Sequence, residues 1–281
     1  MTNSLPYRYS PPVDSLLTYG SCLEQREWPD YLPLGFTAEH VPELIQMATD
    51  EDLHFADSDS LEVWAPVHAW RVLAQLRAEA AITPLVDHLS QIDEDDEDDW
   101  TPEELPYVFA EIGPSAIPEL AAFLADDQHG VYSRTAAANG LQHIAEKQPA
   151  VRDEVVAILI RQLEQFDDQE ENFNAFLISA LVELKAVEAL PVIEHAFVAG
   201  AVEEFVMGDW EDVQIKFGLK TERETPRPNY LLEKFDFGSK ELTAPIVDET
   251  KHLRTLDRRN VKKEKSKRKQ AKKTRKQNRK K

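Results

Sequence analysis

An apolar residue followed by others three and seven positions later occurs four times along the chain. The sets are Ile82, Leu85, Leu89; Ile117, Leu120, Leu124; Val156, Leu159, Leu163; and Leu190, Ile193, Phe197. At 3.6 residues per turn, offsets of three and seven return to one side of a helix, so each set marks an apolar face. The first members stand 35, 39 and 34 residues apart, a spacing that suits a two-helix repeat. Such a unit cannot bury its apolar face alone. It must stack on its neighbours, and four units exceed the minimum of about three.

Local chemistry follows the same period. Ala81-Ile82-Thr83-Pro84, Ala116-Ile117-Pro118 and Ala189-Leu190-Pro191 place proline near a helix start, where its missing N–H leaves no bond unmade. Before each of these lies another apolar-periodic stretch: 67–76, 105–112, 136–144 and 173–184. Thr101-Pro102-Glu103-Glu104 predicts a capping box with proline at the first helical position. Gly113-Pro114 predicts a tight turn, and Pro106 a bend inside its helix. Shorter helices are expected over 11–19 and 37–48, and a last one over 201–217. The expected fold is all-α, an α-solenoid of helix pairs. Its organisation is an N-terminal cap over 1–60, repeats over 61–217, a linker and possible packed extension over 218–250 that contains Thr225-Pro226-Arg227-Pro228, and a tail over 251–281. Tyr230, Phe235 and Phe237 leave open whether that linker packs back on the body.

Composition narrows the chemistry. Nine glycines are few for a nucleotide-binding enzyme, and the one cysteine, Cys22, excludes an intramolecular disulfide or a multi-cysteine zinc site. The first ten residues carry no basic region followed by an apolar run. No stretch reaches the roughly 20 apolar residues of a membrane helix, so a soluble, cytoplasmic protein is expected. The net charge of −20 hides a division. Residues 251–281 hold 17 of the 32 basic and two of the 52 acidic residues, a net of +15 that leaves −35 for 1–250.

The repeat spacing and the segment Ala116-Ile117-Pro118-Glu119-Leu120 resemble HEAT repeats of the short type shared with phycobilisome lyases. The run from Glu62-Val63-Trp64-Ala65-Pro66-Val67-His68-Ala69-Trp70 to Met207-Gly208-Asp209-Trp210-Glu211-Asp212-Val213 resembles an uncharacterised bacterial family of about this length. The resemblance covers most of 35–230. It implies a helical repeat fold and brings no activity with it. Some members end in a small multi-cysteine zinc motif, whose place is taken here by the lysine-rich tail.

The residues offer few reactive constellations. Cys22 has no histidine near it in sequence, and a catalytic thiol needs a partner and a lowered pKa. Histidines occupy 40, 54, 68, 88, 129, 143, 195 and 252, with no pair at helical metal-binding spacing. His68 is expected to pack with its polar tip near solvent. Trp64, Trp70, Trp100 and Trp210 are expected in helix packing, although a groove lined by some of them is the alternative. The acidic run Asp93, Glu94, Asp95, Asp96, Glu97, Asp98, Asp99 is expected to be a solvated inter-repeat loop, with loose cation binding or phosphate mimicry as the other outcome. It lacks the spaced ligands and central glycine of a calcium loop.

The tail is the most legible binding device. Its cations are Lys262, Lys263, Lys265, Lys267, Arg268, Lys269, Lys272, Lys273, Arg275, Lys276, Arg279, Lys280 and Lys281, against one acid, Glu264. Such a segment cannot bury a core and is expected to be disordered alone. Phosphate backbones suit it through counterion release, without sequence choice because no aromatic residue is interleaved. The expectation is a non-enzymatic scaffold without cofactor or catalytic residues. It would hold a protein partner while the tail contacts RNA, ribosome or another acidic surface. A pure protein scaffold whose tail docks on its own acidic body, and a bilin-attaching lyase-like enzyme, are the alternatives.

Overall fold

The computed structural model describes residues 9–22, 27–93, 98 and 100–228. These are all-α, with no strand among the described residues. The helices are α1 (Val41–Ala48), α2 (Glu51–His54), α3 (Ala65–Gln75), α4 (Ile82–Leu89), α5 (Trp100–Ile112), α6 (Ile117–Ala125), α7 (Val131–Lys147), α8 (Arg152–Leu163), α9 (Glu171–Glu183), α10 (Leu190–Val198), α11 (Glu204–Met207) and α12 (Trp210–Lys216).

The helices stack in two layers. In the first, α1, α3, α5, α7 and α9 each pack on the next; in the second, α4, α6, α8 and α10 do the same. The predicted apolar triplets lie in the second layer. Ile82, Leu85, Leu89, Ile117, Leu120 and Leu124 are buried between the layers. Cutting such a leucine to alanine would cost roughly 2–5 kcal/mol, from lost transfer energy plus the cavity. The first layer carries the bulky centre: Trp70, Phe109 and Phe173 are fully buried.

A 3₁₀ turn precedes every second-layer helix, at Glu79–Ala81, Pro114–Ala116, Pro149–Val151 and Val187–Ala189. Successive turns therefore begin 35, 35 and 38 residues apart. This corrects the sequence register of the third unit, because α8 begins at Arg152, one turn before Val156. Arg152 occupies the position that is isoleucine or leucine elsewhere. It donates instead to the Leu184 carbonyl at 3.1 Å and to Glu188 of the next unit at 2.8 Å. A cation on the C-terminal carbonyls of α9 suits the negative end of that helix.

Adjacent units also meet through polar pairs 36 residues apart. Thr83 donates to Glu119 at 3.0 Å, Ser115 to Glu79 at 3.1 Å, and Lys147 to Glu111. Equivalent positions thus touch in successive units, the geometry of a one-dimensional stack.

The chain differs from expectation near the C-terminal end of the stack. The helix expected over 201–217 is two, α11 and α12, parted at Gly208, whose φ of +85° suits glycine. Asp209 then caps α12 through the Asp212 N–H. The proline-bearing segment after α12 is tied down at its start. Arg223 donates to Asp209 at 2.6 and 2.9 Å, and Thr225 N–H to Glu211 at 3.1 Å. No single helix among the described residues is long and apolar enough to cross a membrane.

Candidate functional site

Ten consecutive residues of α3, Ala65 to Ala74, are buried. One side of this helix would face solvent but for the N-terminal segment lying over it. Three residues one turn apart meet that segment: His68, Arg71 and Gln75. Gln75 grips its backbone in both directions, donating to the Pro29 carbonyl at 2.7 Å and accepting from the Tyr31 N–H at 2.9 Å. Arg71 is paired with Glu104 of α5 through two guanidinium nitrogens and lies 5.8 Å from the Trp28 ring centre. His68 Nε2 donates to the Gly20 carbonyl at 3.0 Å, which leaves Nδ1 to accept the Tyr31 hydroxyl at 2.6 Å.

The same enclosure gives Cys22 the partner that sequence did not show. Its Sγ stands 3.6 Å from His68 Nε2 and 3.7 Å from Nδ1. The electrostatics oppose catalysis. Burial pushes the Cys22 thiol up to about 12 and holds the His68 imidazolium below its usual range. A thiol that stays protonated beside a neutral imidazole is a packing pair. His68 is 0% exposed, so its expected solvent-facing tip is corrected: Tyr31 and Gly20 satisfy it from inside.

A second polar cluster joins α2, α4 and the start of α5. His54 Nε2 lies 3.3 Å from Asp98 Oδ2, and the His54 and His88 rings cross at 5.5 Å. Among the described residues, His88 Nε2 has no hydrogen-bond partner in this buried group. Burial, reinforced by neighbouring His54, brings the His88 imidazolium down to about 4. For Asp98, burial pushes upward, but His54 and the Thr101 groups outweigh it and hold the carboxyl at about 2. Among the described residues, no group of three His, Cys, Asp or Glu side chains is arranged to hold a metal ion.

The cluster also revises the acidic run and the capping box. Asp98 caps α5, accepting from the Trp100 and Thr101 N–H groups at 3.0 and 3.1 Å. Asp93 caps α7, a full unit away, accepting from Tyr132 and Ser133 N–H groups, both at 3.0 Å. The carboxylate approaches Gly130 so closely that a Cβ there would collide with it. Thr101 is thus inside α5 rather than its cap, and Glu104 is used by Arg71. Two of the seven acids are therefore structural, which the expectation of a solvated loop overlooked. Glu94, Asp95, Asp96, Glu97 and Asp99 lie outside the described residues, as do the tail cations from Lys262 to Lys281.

Farther along the first layer, the positions that α3 keeps covered are exposed or half-buried. Stepping by 36 from Arg71 reaches Tyr107, His143 and Ser179; stepping from Gln75 reaches Glu111, Lys147 and Glu183. Tyr107 is 53% exposed and stacks on His143 at 4.3 Å with 15° between the rings. Tyr132, at the start of α7, is 58% exposed. The apolar-triplet pattern could not reveal this row, because it tracks buried faces. The row follows from aligning the first helices at 36 residues. The tryptophans are used in packing: Trp70 donates to the Ala48 carbonyl at 2.8 Å, Trp64 meets Trp100 edge-on at 4.9 Å, and Trp210 lies against Phe197 at 5.8 Å.

No curated protein and no solved structure matches the chain. The profile of one family matches residues 37–234, from just before α1 to beyond the tethered segment after α12. The chain belongs to that family, described as protein of unknown function (DUF1186).

Proposed function

We propose that this protein is a non-enzymatic cytoplasmic scaffold of HEAT-like type. Its stacked first helices hold a protein partner, and its basic tail contacts RNA, ribosome or another polyanionic surface. The observation that carries the scaffold part is the exposed Tyr107, stacked on the half-buried His143, beside the sealed α3. Binding proteins expose aromatic side chains where a partner will cover them. The Cys22–His68 pair, a thiol beside an imidazole, is buried and held in its unreactive protonation states. The tail part is supported by the net charge of +15 over 251–281. Lysines and arginines at that density bind phosphates in a salt-dependent way.

The test is co-purification of the intact chain from its native cells, with and without nuclease, beside a chain lacking 262–281. The expected result is a polyanion-dependent association that weakens steeply with salt and is lost on deletion. An intact chain that carries no RNA or ribosome at low salt would refute the tail assignment. A partner retained after nuclease and after deletion is the outcome expected for the helical face.

A further inference from the structure

The N-terminal segment already demonstrates what the first helices can hold. An irregular stretch of backbone crosses α3, and Gln75 reads its amide and carbonyl groups with the two ends of one side chain. His68 and Arg71, on the same side of α3, receive Tyr31 and Trp28. Because the units repeat, α5 and α7 present the corresponding side, yet no described segment crosses the row at Tyr107 and His143. The row is built for contact. Tyr107 and His143 make a stacked plate, and Tyr132 adds a second ring on α7.

The surrounding charge selects the occupant. Glu103, Glu111, Glu146 and Glu183 lie on these sides of α5, α7 and α9, with Lys147 as the lone cation among the row positions. Glu111 is taken by Lys147 and Glu146 by His143, while Glu103 and Glu183 are exposed. Aromatic faces beside carboxylates favour cationic side chains, through ring electrostatics and charge-assisted hydrogen bonds.

We infer that the face of α5, α7 and α9 binds an extended, Arg/Lys-bearing segment of a partner protein, continuing the path that the N-terminal segment takes over α3. This rests on the scaffold role proposed above and specifies its ligand. A cationic side chain lies over the Tyr107–His143 plate beside Glu103, and Glu183 on α9 receives a second one farther along the segment. An extended chain advances about 3.3 Å per residue and neighbouring helices lie about 9 Å apart, so roughly eight residues cross the three helices.

The probe is a fluorescein-labelled peptide of that length with alternating Arg and Gly, titrated into the full chain and followed by anisotropy. Tyr107→Ala is expected to weaken binding roughly tenfold, which is one decade in Kd, and Tyr107→Phe to preserve it. Glu103→Lys should weaken binding more than Glu164→Lys, an equal charge change in the loop after α8. Unchanged melting of each variant ties the effect to the face. Equal losses from the two lysine variants with no effect of Tyr107→Ala would overturn the assignment, as would absence of binding. Binding that emerges only after deletion of 262–281 would assign the face to the chain's own tail and overturn a partner segment. A native partner captured equally by wild type and Tyr107→Ala would remove this face while leaving the scaffold role intact.

Discussion

Two neighbouring parts of the first helical layer use one geometry differently. On α3 the outward positions are His68, Arg71 and Gln75, all engaged by the N-terminal segment or by Glu104. On α5 and α7, the positions 36 and 72 residues after Arg71 are Tyr107 and His143, which meet each other and solvent. A capped end must satisfy every polar group it encloses, because a buried charge without a partner is costly. An open side can keep aromatic and charged groups accessible for another molecule. The repeat supplies the frame, and what covers a given helix decides whether it carries stability or binding.

The largest break in this comparison is expected from Arg71→Ala. It strands Glu104 in the interior and should cost about 3–5 kcal/mol in urea unfolding. Its structural counterpart, Tyr107→Ala, should cost less than about 0.5 kcal/mol, as exposed substitutions do. Similar losses at both sites would erase the distinction between a sealed and an open face.

Acid should act next most strongly, again at the enclosed end. The His88 imidazolium is lowered from 6.5 to about 4 in the folded chain, so the unfolded chain binds the extra proton between those values. Its contribution is complete above pH 6.5 and is lost as pH falls towards 4, a decline of up to roughly 3 kcal/mol. Stability curves for wild type and His88→Gln should therefore converge on acidification. Asp98, lowered to about 2, contributes above its ordinary 3.8 and loses that contribution only below it.

Smaller effects sharpen the role of the acidic run. Asp93→Ala removes two N–H partners from the start of α7 and should cost about 1 kcal/mol. Asp93→Asn should recover most of that loss, because the amide oxygen still accepts. A full loss in the asparagine variant would show that charge, rather than capping, is what α7 requires. The least change is expected at Cys22: at pH 8 its thiol should stay unreactive towards a disulfide reagent until the N-terminal segment opens. Rapid labelling of the folded chain would contradict the enclosure around His68.

Much of the architecture was legible because helix stacking imposes a period on side-chain polarity. Apolar triplets and first-turn prolines located α4, α6 and α10, and Gly113-Pro114 marked the turn between α5 and α6. The third unit was read one turn late because Arg152 replaces the apolar residue that begins the others. Thr101 imitated a cap because serine, threonine and aspartate can fill the same role, and nothing local says that Asp98 reaches the N–H groups first. The join between Asp93 and α7 was beyond sequence reach for a different reason: it spans one whole unit.

The sequence by itself determined an all-α stack, since apolar faces repeating in helical register can be buried only against one another. It also determined the charge division, a matter of composition. Tertiary structure alone decided that Cys22 would meet His68 and be silenced by burial, that Asp93 would cap α7, and that Tyr107 would remain accessible while its counterpart Arg71 did not. Those outcomes depend on contacts between residues 33 to 46 positions apart, and a local pattern carries no information about which distant segment will arrive to cover it.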